Sequence, residues 1–285
     1  MDVFDGRVCA LGEGPFYDDR TGRVGWVDIP GHRVLWRDLA TGATGEWATP
    51  GDVGAAVPRR EGGLALLLPD GPAMADATGR IESRIDHDAV GSAVPVRCND
   101  AKADPAGRLW FGTMAYDTTA GAARLYRLDP VDGSTPVTVL DQVTVSNGLG
   151  WSPDGSLMYY ADTPTHRVDV FDYDVASGAV AGRRTFVELG SGQPDGLCVD
   201  AEGGVWVALW GSGAVRRFTP DGELEREVTV PTPYTTSCAF VGAEFDLMII
   251  TTAATRKATG TPEAGLTYAY HPGDVVGRPA DRYAG

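Results

Sequence analysis

The chain of 285 residues is short of the features that mark a membrane, nucleic-acid or disulfide-stapled protein. No apolar run approaches the roughly 20 residues needed to cross a bilayer. Basic residues are scarce: 24 Lys and Arg stand against 39 Asp and Glu, and the formal net charge of −15 argues against phosphate backbones and anionic lipid surfaces as partners. Met1-Asp2-Val3-Phe4-Asp5 lacks the basic start and apolar stretch of a secretory signal, so a cytoplasmic chain is expected. The four cysteines (Cys9, Cys98, Cys198, Cys238) show no C-x-x-C spacing and are expected to be reduced core fillers. There is no G-x-S-x-G elbow, no convincing Ser/His/Asp grouping and no glycine loop that would cradle phosphate.

Glycine and proline are plentiful, at 38 and 19 residues, and they punctuate short apolar runs. Ser146-Asn147-Gly148-Leu149-Gly150-Trp151 leads to the turn Pro153-Asp154-Gly155 and then to Leu157-Met158-Tyr159-Tyr160-Ala161-Asp162. This pattern reads as two strands around a tight turn. It recurs along the chain. Laying Val24-Gly25-Trp26-Val27-Asp28 over Met158 to Asp162 also brings His32-Arg33-Val34 onto His166-Arg167-Val168, and it sets Glu13 on Asn147. The runs Leu64-Ala65-Leu66, Leu109-Trp110, Val205-Trp206 and Leu247-Met248 align in the same way. Six copies of roughly 40–48 residues then carry Glu13, Gly54, Asn99, Asn147, Asp195 and Ser237 at one equivalent position. The expected fold is all-β: a six-bladed β-propeller with four-stranded blades, forming one domain over residues 1–285. Residues 5–12 are expected to lend a strand to the last blade and so close the ring.

In a propeller, equivalent residues surround the central axis, so these six side chains would meet at one channel mouth. Two carboxylates and one amide, from Glu13, Asp195 and Asn147, form a hard oxygen set without His or Cys. That set suits Ca²⁺, Mg²⁺ or Mn²⁺ better than a structural zinc site. The same residues could instead close the mouth with hydrogen bonds, and Asn-Gly and Asp-Gly are in any case ordinary turn dipeptides. Arg97 lies two residues before Asn99 and faces the same way, to bind substrate hydroxyls or to pair with a ring carboxylate. Asn99 both donates and accepts, which suits a polyol. His32 and His166 share a repeat position, which points to a structural role; His87 and His271 also lie off the ring. The stretches 115–122 and 253–264, the latter with Arg256 and Lys257, are expected to line the pocket.

The motifs Leu11-Gly12-Glu13-Gly14-Pro15, Arg97-Cys98-Asn99-Asp100, Gly112-Thr113-Met114, Ser146-Asn147-Gly148-Leu149, Pro194-Asp195-Gly196-Leu197 and Thr235-Thr236-Ser237-Cys238 together resemble the regucalcin/gluconolactonase (senescence-marker-protein) family over nearly the whole chain. The resemblance implies hydrolysis of sugar lactones with one divalent metal, Ca²⁺ foremost, the other candidates being Zn²⁺, Mn²⁺, Mg²⁺ and Fe²⁺. It implies that Glu13, Asn147 and Asp195 bind the metal and that Arg97 and Asn99 contact substrate. Asp117 falls where relatives carry an acid shortly after Gly-Thr-Met and becomes a further substrate-binding candidate. Asp195 is the candidate general base, the alternative being a metal-bound hydroxide with Asp195 only a ligand. The expected partner is a small-molecule sugar lactone, with no nucleic acid or membrane, and the chain is expected to be a monomer or weak homodimer. Competing readings are a hydrolase of other esters or phosphotriesters, a non-catalytic calcium-binding protein, and an interaction scaffold.

Overall fold

The computed structural model describes residues 1–86, 94–131, 134–255 and 261–285; His87, Arg256 and Lys257 lie outside them. Six four-stranded antiparallel sheets form the blades of a β-propeller. The strands nearest the axis are Gly12–Asp18, Ala56–Pro58, Val96–Ala103, Ser146–Trp151, Gln193–Val199 and Thr235–Val241. Each pairs with the next strand in sequence, as the Pro-Asp-Gly and Gly-rich turns dictate. The ring is closed by the chain's first strand. Asp2–Asp5 pairs antiparallel with Thr267–Tyr270, Asp2 opposite Ala269 and Asp5 opposite Thr267, and completes the sixth blade. Closure by the N-terminal segment is as expected, but the strand ends at Asp5, and residues 6–11 are its connection to the first blade. No blade edge is then left open between the first and last repeats.

Alternation along each strand puts one apolar face on the blade before and one on the blade after. The core is accordingly a set of clusters between neighbouring blades. Trp110, Trp151, Phe171 and Tyr173 join the third blade to the fourth, and Tyr159, Val170, Leu197 and Val207 join the fourth to the fifth. Phe4, Trp26, Val241 and Ile249 join the sixth to the first, so the closing strand also supplies core. Two buried aspartates at matching repeat positions fasten the inner turns. Asp104 accepts from the Trp110 indole at 3.0 Å and from the Ala106 and Arg108 backbone; Asp200 accepts from Trp206 at 2.9 Å and from Glu202 and Gly204. His32 and His166 share a left-handed backbone with φ of 52° and 56°, and their carbonyls accept from Thr49 and Leu189. Their shared structural role is therefore visible.

The C-terminal segment carries no repeat signal, yet it has a definite place. It runs across the end of the channel opposite the ring residues. The Ala201 backbone donates to Val276, the Arg278 guanidinium to Ser152, Tyr283 to Pro58 and Ala284 to Gly107. Beneath the ring this leaves a cavity of about 120 Å³, lined by Asp100, Lys102 and Ser237 above and by Arg278 and Asp281 below. Among the described residues no helix is long and apolar enough to cross a membrane.

Candidate metal and substrate site

The aligned positions come together at one mouth of the channel, and the backbone shows why. In five blades the pairing of the innermost strand slips at the ring residue: between Glu13 and Phe16, Cys98 and Ala101, Ser146 and Leu149, Pro194 and Leu197, and Thr235 and Ser237. A bulge leaves one or two residues out of the ladder and turns their side chains away from the sheet. Here they turn into the channel. The dipeptides Glu13-Gly14, Asn147-Gly148 and Asp195-Gly196 thus sit in bulges within strands and not in turns. Glycine is required by close approach. A Cβ on Gly148 would lie 2.6 Å from the Asp195 carbonyl oxygen, and one on Gly196 would lie 2.0 Å from the Ser237 hydroxyl. Gly54 has the same function: a Cβ there would meet the Cys98 and Asn99 carbonyl oxygens at 2.6 and 2.4 Å. It gives the third blade room as well as emptying its own place in the ring.

A chain of hydrogen bonds orders the amides. The Arg97 guanidinium donates to Asn99 Oδ1 at 2.8 Å and to the Cys98 carbonyl at 2.9 Å. Asn99 Nδ2 donates to Asn147 Oδ1 at 2.9 Å and to the Ser146 carbonyl at 2.8 Å. Asn147 Nδ2 donates to the Thr163 hydroxyl, which donates to the Pro194 carbonyl, each at 2.8 Å. Thr163 thereby fixes the Asn147 amide with its oxygen toward the channel, an outer support of the kind that orients metal ligands. Among the described residues Arg97 makes no ion pair, so the structure does not show it pairing with a ring carboxylate.

The carboxylates are held at a cost. Glu13 and Asp195 are both buried and face each other within hydrogen-bonding reach. Burial raises Glu13 to about 8, with the Asp100 charge adding to the shift and the Gly14 amide and Arg97 opposing it. Burial, then the charges of Glu13 and Asp100, pushes Asp195 well above the usual carboxylate range. Among the described residues, Asp195 Oδ1 has no hydrogen-bond partner. With both groups ionised, Glu13 cannot satisfy it, so a shared proton or a cation is required. Two buried carboxylates, one of them with a bare oxygen, beside an amide oxygen turned inward fit a hard divalent cation.

The structure brings together Glu13, Arg97, Asn99, Asn147 and Asp195. Among the described residues, Asp117 makes no hydrogen bond to any of them. That residue is exposed, and its carboxylate accepts from the Thr119 hydroxyl at 2.7 Å and the Thr119 amide at 3.0 Å; these bonds hold it below the ordinary range. Asp100, the sequence neighbour of Asn99, lies in the same bulge, and burial raises it against the pull of Lys102. The Lys102 ammonium spans the channel to the Leu197 carbonyl and forms a floor under the ring. The signal for both is the run Asn99-Asp100-Ala101-Lys102, which puts two charged residues just after a ring residue on one innermost strand.

The class is that of a six-bladed propeller with an acidic, amide-ordered site at one channel mouth. The sequence model of the SMP-30/gluconolactonase/LRE-like region matches residues 11–254, and the chain belongs to that family. Regucalcin of Danio rerio is 36% identical over 284 residues, spanning 96% of this chain and 95% of its own length. The pentonolactonase XacC of Haloferax volcanii is 38% identical over 251 residues, 86% of this chain and 82% of its own length. The crystal structure of a calcium-binding protein, regucalcin, from Agrobacterium tumefaciens superposes with a TM-score of 0.91 at 30% identity, over 99% of this chain and 96% of that one.

Proposed function

We propose that this chain opens sugar lactones to sugar acids by hydrolysis, using a divalent cation held by Glu13, Asn147 and Asp195. The observation that carries the reading is the bare, buried Asp195 Oδ1 beside Glu13, with Arg97 and Asn99 presenting polar groups a short way along the same mouth. Support comes from the relatives named as lactonase and as calcium-binding protein. Ca²⁺ is the first candidate, since the donors are oxygens only. Bound there, the cation would supply Lewis-acid polarisation of the lactone carbonyl.

The chain's own residues do the rest. Arg97 and Asn99 bind the substrate hydroxyls and orient the ring, which fixes the carbonyl carbon for attack. Asp195 takes a proton from the attacking water as the new C–O bond forms. The ring C–O bond breaks, and the same proton passes to the departing alkoxide oxygen, so the product is a hydroxy acid. A carboxylate held by a cation is a weaker base. The low polarity that raises Asp195 works in the opposite direction and keeps it basic enough to act.

The test is a panel of aldonolactones, simple esters and phosphotriesters, followed by acid release in the presence of Ca²⁺, Mg²⁺, Mn²⁺, Zn²⁺ or Fe²⁺. Turnover confined to lactones is expected. Turnover of phosphotriesters in place of lactones would assign a different hydrolase, and cation binding without any turnover would assign a binding protein.

A further inference from the structure

The channel mouth has a second polar group beside Arg97 that the sequence did not single out. Arg97 is 7% exposed and donates through Nη1 alone among the described residues, which leaves Nε and Nη2 free to face a ligand. Met114 pairs with Arg97 across the blade, and Ala115 with Val96. Tyr116 follows directly, its amide donating to the Pro95 carbonyl at 3.2 Å. A tyrosine held this close to a buried arginine would be expected to pack down on it. Instead Tyr116 is 54% exposed. Its hydroxyl lies within electrostatic reach of the Asp52 carboxylate, and so does the Arg97 guanidinium. Asp52 is in turn fixed by the His32 imidazole, with Nε2 3.0 Å from Oδ1.

We propose that Tyr116, positioned by Asp52 and His32, works with Arg97 as a recognition pair for neighbouring hydroxyls on the substrate and sets the preference for polyhydroxylated lactones. The chemistry is complementary. A hydroxyl whose hydrogen is drawn toward Asp52 leaves its oxygen lone pairs for a substrate O–H, while the spare Arg97 N–H groups donate to the next substrate oxygen. A tyrosine also offers an apolar ring with a polar tip, which suits the mixed faces of a sugar. Asp117, one residue on, accepts from Thr119 through Oδ1. Asp52 and His32 are positioning residues and need not touch the substrate.

This inference rests on the lactonase reading, and its test is built to separate the two. Tyr116→Phe and Asp52→Asn are compared with the parent on an aldonolactone and on unsubstituted δ-valerolactone. Each variant should lose about tenfold in kcat/KM on the aldonolactone, chiefly through KM, and change less than twofold on δ-valerolactone. Equal losses on both lactones, or none on either, would overturn the pairing. Calorimetric binding of the matching aldonate, with Ca²⁺ present, gives an answer independent of turnover. If no lactone is hydrolysed but Tyr116→Phe still weakens aldonate binding about tenfold, the lactonase reading fails and the recognition pair stands. Equal aldonate affinity in parent and variant, or no aldonate binding at all, overturns the pair.

Discussion

Removing divalent cations should make the protein's stability fall as pH rises, in a window set by the Glu13–Asp195 pair. Glu13 is raised from 4.5 to about 8 in the folded, cation-free chain. Between those values the native state binds more protons than the unfolded one, so stability decreases with increasing pH. Below pH 4.5 the contribution is complete, and it is lost as pH climbs through 8. Asp100, Asp162 and Asp281 are also raised by burial and add to the slope in the same direction, so Glu13→Gln is the control that isolates the pair. Each unit of pH is worth about 1.4 kcal/mol per proton, less near the pKa itself, which gives about 2 kcal/mol from pH 6 to pH 8 for Glu13. Because the pair is coupled, the loss is released in two steps that belong to both residues. At about 2–4 °C per kcal/mol for a chain of this size, Tm should drop by about 4–8 °C from pH 6 to pH 8. Saturating Ca²⁺ should abolish the drop, because a cation replaces the shared proton, and at a hundredfold excess over Kd it should add about 2.7 kcal/mol. The assay is thermal unfolding of chelator-treated protein at half-unit pH steps, with and without Ca²⁺, for the parent and for Glu13→Gln. The variant should show most of the slope removed. A parent Tm that is flat in chelator, or a Glu13→Gln slope equal to the parent's, would refute the reasoning.

Three further outcomes follow from the geometry. Asp195→Asn keeps the side chain's shape and removes its basicity; turnover should fall by a factor on the order of 10² or more, and near-normal activity with cation still bound would limit Asp195 to a ligand. Gly148→Ala places a methyl 2.6 Å from the Asp195 carbonyl and should cost about 1–3 kcal/mol in urea unfolding while weakening Ca²⁺ binding; unchanged affinity would show that the bulge adapts. Phe4→Ala removes the core contribution of the ring-closing strand, where Phe4 packs on Trp26 and beneath the Arg37 guanidinium, and should lower stability by about 3 kcal/mol without changing KM.

Much of the architecture was legible because a propeller repeats. Matching apolar runs placed Glu13, Asn99, Asn147 and Asp195 in register, and the channel mouth assembles those residues. The reason they face inward was not legible. Asn147-Gly148 and Asp195-Gly196 have the composition of turns, and only the slip in strand pairing shows them to be bulges whose glycines admit the next blade. Non-repeating parts were harder still. Asp117 matches a motif position, and only the fold shows that it is exposed and accepts from Thr119 within its own loop. Tyr116, Asp52 and His32 come from three separate segments and meet only in the folded ring. The C-terminal segment that crosses the far end of the channel has no periodic pattern and announces itself only through the backbone groups it pairs.

The central claim is that cation occupancy at Glu13, Asn147 and Asp195 governs lactone opening. Ca²⁺ titrated into chelator-stripped protein, with heat of binding and aldonolactone hydrolysis followed on the same samples, tests it most directly. The account requires one binding event per chain, with activity rising in step with occupancy, and loss of both signals together in Glu13→Gln. Full activity in the stripped protein, or saturation by Ca²⁺ that leaves hydrolysis at the spontaneous rate, would contradict it.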